Sequence, residues 1–116
     1  MEHLLKNIIE GIQEKKGKRI VTIDLTKLEG LVYNYFVVCE GDSTTQVSAI
    51  ADSVRDYVRK SAGEKPFASD GYQNAQWIVF DYGDVLVHIF LRETREFYSL
   101  ESLWSDATIT EIADNG

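Results

Sequence analysis

A single cysteine among 116 residues leaves this chain without an internal disulfide. Cys39 lies in the apolar run Tyr35-Phe36-Val37-Val38-Cys39, with no His or basic neighbour in sequence to lower its pKa. It reads as a buried small hydrophobe, not a reactive thiol. Long apolar stretches are lacking too, and the longest falls far short of the roughly 18 residues a membrane span needs. Near the N-terminus Glu2 and Lys6 interrupt the apolar residues, which argues against a secretory signal. A soluble, cytoplasmic protein with no membrane partner is the expectation. Cations are the third scarcity: 12 Lys and Arg stand against 19 Asp and Glu, a net charge of −7. Nucleic-acid binders accumulate cations because phosphate contacts dominate their affinity. Extensive direct nucleic-acid binding is therefore not expected, and a basic protein is the better electrostatic match.

What is present suits one compact α/β domain, since 44% of the residues are hydrophobic and no repeat or linker interrupts them. Leu4, Leu5, Ile8, Ile9 and Ile12 recur at helical spacing, with Gly11 weakening the helix and Gly17 ending it. Residues 20–25 and 33–39 read as strands, the second continuously apolar and hence buried. Ser43 followed by Gln46 is a capping-box pattern. Val47, Ile50, Ala51, Val54, Tyr57 and Val58 then form the stripe of a helix that Gly63 caps and Pro66 prevents from continuing. Residues 76–81 and 84–91 read as two strands joined at Tyr82-Gly83. Leu100, Leu103 and Trp104 suit a short final helix, with Trp104 packing it. The chain divides into a domain over 1–107 and a mobile polar tail over 108–116. This order predicts a mixed β-sheet layered with helices.

A two-residue turn at Tyr82-Gly83 would oppose Asp81 to Asp84, Val79 to Leu86, Trp77 to His88 and Ala75 to Phe90 on one face. The other face, with Ile78, Phe80, Val85 and Val87, is wholly apolar and must be core. Opposed carboxylates are unfavourable unless they sit in solvent or meet a cation. Solvated acids near a turn are the plain explanation. A cationic partner against Asp81 and Asp84, anchored by Trp77 and Phe90, is the sharper one. A metal site is a weak third, because no second His lies near. His88 has no Ser or Cys nucleophile in a recognisable arrangement and reads as structural.

These segments resemble the ribosomal silencing factor (RsfS, Iojap-like) family. The likeness runs through Ile23-Asp24-Leu25, Tyr35-Phe36-Val37-Val38 with Gly41 and Ser43, and the helix segment 46–52. It is most specific from Trp77 through Asp81-Tyr82-Gly83-Asp84 and Val87-His88 to Arg95, Phe97, Tyr98 and Leu100-Glu101-Ser102-Leu103-Trp104. Two pairs depart from the pattern, Cys39-Glu40 and Tyr33-Asn34, and both are expected to lie off the binding face. The resemblance implies a nucleotidyltransferase-like fold without the enzyme's activity and no cofactor. It implies binding to the large ribosomal subunit through ribosomal protein L-fourteen, obstruction of subunit joining, lowered translation when nutrients are scarce, and a homodimer when free. The partner-binding residues expected are Trp77, Asp81, Tyr82, Asp84, Leu86, His88 and Phe90.

Two other functions compete. Gly41-Asp42-Ser43 at a helix start mimics the opening of a nucleotidyltransferase site. Such enzymes need an Asp-x-Asp pair on a following strand, since only that spacing puts both carboxylates on one face to hold magnesium. The sole i, i+2 acidic pair noted, Glu40 and Asp42, precedes Ser43, so Ser43 reads as a helix cap. A dimeric adaptor with a non-ribosomal partner is compatible with composition and is ranked lower only by the resemblance.

Overall fold

The computed structural model describes residues 2–113. Its elements run α1 (Glu2–Glu14), β1 (Lys18–Asp24), β2 (Tyr35–Gly41), α2 (Thr44–Ala62), β3 (Ala68–Asp70), β4 (Trp77–Asp81), β5 (Val85–Leu91), α3 (Arg92–Tyr98), α4 (Leu100–Leu103) and β6 (Thr108–Glu111). The six strands form one sheet in the order β3-β4-β5-β2-β1-β6. Among the described residues only β2 and β5 pair in parallel; the other neighbours are antiparallel. The mixed, helix-layered sheet expected from the order of elements is what the chain forms.

The capping box forms: Ser43 Oγ accepts from the Gln46 amide at 3.1 Å, and Gln46 Oε1 accepts from the Asp42 amide at 2.7 Å. Gly63 closes α2 with φ +67, its N–H donating to the Arg59 carbonyl. At the end of α1 the left-handed residue is Lys16, not the glycine after it (φ +61). The Gly17 and Lys16 amides donate back to the Ile12 and Gln13 carbonyls, a Schellman closure. Gly11, a helix-weakening residue by propensity, lets two backbones approach. A Cβ there would sit 2.8 Å from Val54 Cα, and Ser53 Oγ donates to the Gly11 carbonyl at 2.7 Å. Tertiary packing of α1 on α2 outweighs the propensity loss.

Those two helices cover one sheet face. Ile8, Ile12, Ile50 and Val54 meet Val37, Cys39, Phe80, Val87 and Ile89 in the larger core. Cys39 is buried as expected, and loss of solvation pushes its thiol up to about 12. The opposite face carries a smaller cluster, with Ile23, Phe36, Val38 and Phe90 under Leu100 and Trp104. No helix of the described residues is long and apolar enough to cross a membrane.

Two segments differ from expectation. Thr108–Glu111, assigned to a tail outside the domain, pairs with β1 as the sheet's last strand, and the Ile112 amide donates to the Ile20 carbonyl at 2.8 Å. Its exposed, alternating Thr and Ile suit an edge strand more than a helix or coil. Asn115 and Gly116 lie outside the described residues. Ala68–Asp70, which carries no apolar alternation, was not foreseen as a strand; it pairs along β4.

Candidate protein-interaction surface

The β4–β5 hairpin is the frame of the expected site, and its turn lies one residue later than expected. Tyr82 and Val85 close it, with Gly83-Asp84 as the loop: the Tyr82 amide donates to the Val85 carbonyl at 2.9 Å. Gly83 supplies the positive φ, +90, at the first loop position, where Tyr would be strained. Asp81 Oδ1 reinforces the turn by accepting from the Gly83 amide at 2.8 Å. The register therefore slips by two along the strand. Trp77 faces Phe90, Val79 faces His88 and Asp81 faces Leu86. A slip of two preserves the faces, so Ile78, Phe80, Val85 and Val87 remain core, all fully buried.

Several expected site residues move as a result. Asp84 is not opposed to Asp81; it is exposed in the turn, and its carbonyl accepts from the Asn34 and Tyr35 amides at 2.7 and 3.2 Å. Tyr82 points into the helix-covered core and is buried, so it is not available to a partner. Ala75 precedes β4 with φ +54 and is buried, not paired with Phe90. His88 and Phe90 are on the expected face but lie buried beneath other side chains. Trp77, Asp81 and Leu86 stay half-exposed.

Trp77 organises this face. Its ring stacks on Phe90 at 4.7 Å between centroids and meets Tyr98 of α3 at 5.0 Å. Its Nε1–H donates to His88 Nδ1 at 3.0 Å, which leaves the proton of a neutral imidazole on Nε2. Among the described residues His88 Nε2 has no hydrogen-bond partner, and Phe36 packs edge-on to the ring at 4.9 Å. Burial disfavours the imidazolium and lowers the His88 pKa to about 4, with nearby Glu101 opposing the shift. His88 is a structural histidine that orients Trp77.

One member of each pair expected off this face, Glu40 and Tyr33, is on it, while Cys39 belongs to the opposite core. In the parallel register Phe36, Val38 and Glu40 lie beside Leu86, His88 and Phe90, so the Glu40 side chain shares their side of the sheet. The Tyr33 hydroxyl donates to Asp81 Oδ2 at 2.8 Å, a bond that raises the Tyr33 pKa and ties that carboxylate down. Trp104 packs as expected, edge-on to Phe36 at 5.5 Å.

Sequence reasoning missed the most exposed part of the surface. The short final helix is two helices, α3 and α4, joined at Ser99 with φ +50. Phe97, Leu103 and Tyr98 on them are 81%, 73% and 53% exposed. Glu93, Glu96 and Asp106 lie exposed around them. The signal was available in the charge distribution. From Trp77 onward the chain has eight acidic and two basic residues, so nearly all of its net charge of −7 is there. Large aromatics set among carboxylates fit a basic protein surface with an apolar centre.

Fold and surface together define a small α/β domain with an exposed aromatic and acidic face. Solved structures share that fold: one from Chromobacterium violaceum has a TM-score of 0.85 at 35% identity, covering 90% of this chain and 86% of that one. Another, from Bacillus halodurans, has a TM-score of 0.82 at 29% identity, covering 97% and 100%. The family described as "Ribosomal silencing factor during starvation" matches residues 1–115. Ribosomal silencing factor RsfS of Halalkalibacterium halodurans is 33% identical over 111 residues, 96% of this chain and 93% of that protein. The chloroplastic protein Iojap of Zea mays is 39% identical over 87 residues, 71% of this chain and 36% of that longer protein. The chain belongs to the ribosomal silencing factor, or Iojap-like, family.

Proposed function

We propose that this protein binds the large ribosomal subunit through the basic ribosomal protein L-fourteen, keeps the small subunit from joining, and thereby lowers translation when nutrients are limiting. The observation that carries the proposal is one face holding Trp77, Leu86, Phe97 and Tyr98 half or fully exposed within an acidic surround, in a chain of this family. Aromatic anchors would fill apolar hollows on the partner while carboxylates meet its Lys and Arg. Free in the cytoplasm, the protein covers the same face by pairing with a second copy. No nucleotide transfer belongs to this function. The Ser43 hydroxyl is engaged as a helix cap, and Asp42 is paired with Lys18 and Arg92 at 3.1 Å each. Sedimentation with purified large and small subunits tests the proposal. Comigration with large subunits and loss of the joined particle at saturating protein are expected; an unchanged subunit profile refutes it.

A further inference from the structure

A buried charge cluster lies under the exposed aromatic ridge. Arg95 of α3 and Glu40 of β2 have side chains only 3% and 2% exposed. Arg95 Nε and Nη2 donate to Glu101 Oε2, near the start of α4, at 3.2 and 2.8 Å. Its Nη1 donates to the Arg19 carbonyl of β1 at 2.7 Å and to Glu40 Oε1 at 3.2 Å. Arg19 Nη1 reaches the same Glu40 oxygen at 3.3 Å. Burial alone would raise the Glu101 pKa, but the Arg95 hydrogen bonds and charge hold it below its ordinary value. One planar guanidinium thus joins the neighbouring strands β1 and β2 to both short helices, a reach that a single ammonium point charge does not have.

The short helices need such a tie. With seven and four residues, α3 and α4 are too short to hold themselves. Arg95 is the buried residue of α3, and α4 has none among the described residues. Apolar contact is limited to Tyr98 against Trp77 and to half-buried Leu100 and Trp104. The left-handed Ser99 breaks the helix axis between them, so α4 does not continue α3. A buried ion cluster is a poor way to add stability, because desolvation offsets most of the attraction, but it fixes geometry.

We propose that Arg95, clamped between Glu40 and Glu101, is the positioning residue that sets the Phe97–Tyr98 ridge at the angle a partner protein requires. That the ridge serves docking rests on the function proposed above; that Arg95 sets its angle does not. Both tryptophans of the chain lie on this face, so their emission reports the seating of the helices.

The test uses the full-length protein with Arg95→Lys and Arg95→Met, read by residue-resolved amide hydrogen exchange, tryptophan emission and large-subunit sedimentation. Exchange in α3 and α4 is expected to rise about tenfold or more while β2 and β5 change less than about twofold. Emission should shift to the red and subunit affinity should fall about tenfold, with Lys no better than Met. Restoration by Lys, unchanged exchange in α3–α4, or an equal rise throughout the sheet overturns the proposal. If neither Arg95 variant folds, Glu101→Gln keeps the fold's interior and should still loosen α4 selectively; no loosening there overturns the clamp. Wild-type protein that ignores the large subunit overturns the ribosomal function, while the exchange pattern still decides the clamp. Wild-type binding matched by Arg95→Lys overturns the clamp and leaves the function standing.

Discussion

Helices α1 and α2 cover one face of the sheet with aliphatic side chains, whereas α3 and α4 lay a short, charged and aromatic cover over part of the other. On the first face Ile8, Ile50, Phe80, Val87 and Ile89 are fully buried. On the second, Glu40, His88 and Arg95 are buried as polar groups, and Trp77 and Leu86 remain half open. Burial of apolar area stabilises in proportion to area and is indifferent to direction, while hydrogen-bonded and ion-paired groups hold a definite geometry at little net gain. The first face supplies folding free energy; the second holds a surface in shape.

The largest effect expected from this division is on the first face. Phe80→Ala should lower stability by about 3–5 kcal/mol in urea unfolding, through the cavity left beside Tyr82 and Tyr72, yet leave large-subunit affinity of the folded fraction unchanged. Loss of binding at full stability would break the comparison. Next comes acid. The folded pKa of His88, about 4, lies below the ordinary histidine value of 6.5. Between those values the unfolded chain binds the extra proton, so the contribution is fully present above the unfolded pKa. It declines as pH falls and is gone below about pH 4, a loss of about 3 kcal/mol across the window. His88→Asn should flatten that part of the stability–pH curve.

On the second face, Trp77→Ala should weaken large-subunit binding by about 2 kcal/mol. The same change removes the donor to His88 Nδ1, so some loss in melting temperature accompanies it. Equal affinity for mutant and wild type would move the contact away from β4. The smallest effect is Asp84→Lys, in the exposed turn. Stability should change by less than about 0.5 kcal/mol and binding should weaken by less than about 1 kcal/mol, more at low salt than at high. A gain in affinity would mean that the partner is acidic there.

The first face was legible in the sequence and the second only in part. Periodicity identifies Val47, Ile50, Val54 and Val58 because a helix stripe needs only its own spacing, and hairpin parity separates Ile78 and Phe80 from Trp77 because faces survive a slip of two. Register did not survive, since it depends on whether Tyr82 or Gly83 takes the first loop position. Parity also cannot say what lies above a face. Phe90 and His88 are covered by Trp77 and Phe36, and the short helices beyond are tied by an Arg95 ion cluster whose members Arg19, Glu40 and Glu101 are far apart in sequence. Tyr82-Gly83 has the look of a turn in sequence, yet Tyr82 is the last inward-facing residue before the turn.

The parallel seam between β2 and β5 has a consequence for the order in which the molecule can be made. Tyr35 pairs with Val85 and Gly41 with Leu91, so β2 is complete long before its partner exists on an elongating chain. Its run Phe36-Val37-Val38-Cys39 is buried on both faces in the finished sheet. Until β5 emerges, that run can pair with β1 on one side only, and its other edge stays open to any extended apolar segment nearby. Antiparallel β1–β2 and β4–β5 are each pairings of neighbouring strands, whereas joining them across the seam is a non-local step, of the kind that slows folding. Slow delivery of residues 85–91 should therefore raise aggregation of nascent chains, and a charge placed at Val38 should both suppress that aggregation and prevent the seam from closing.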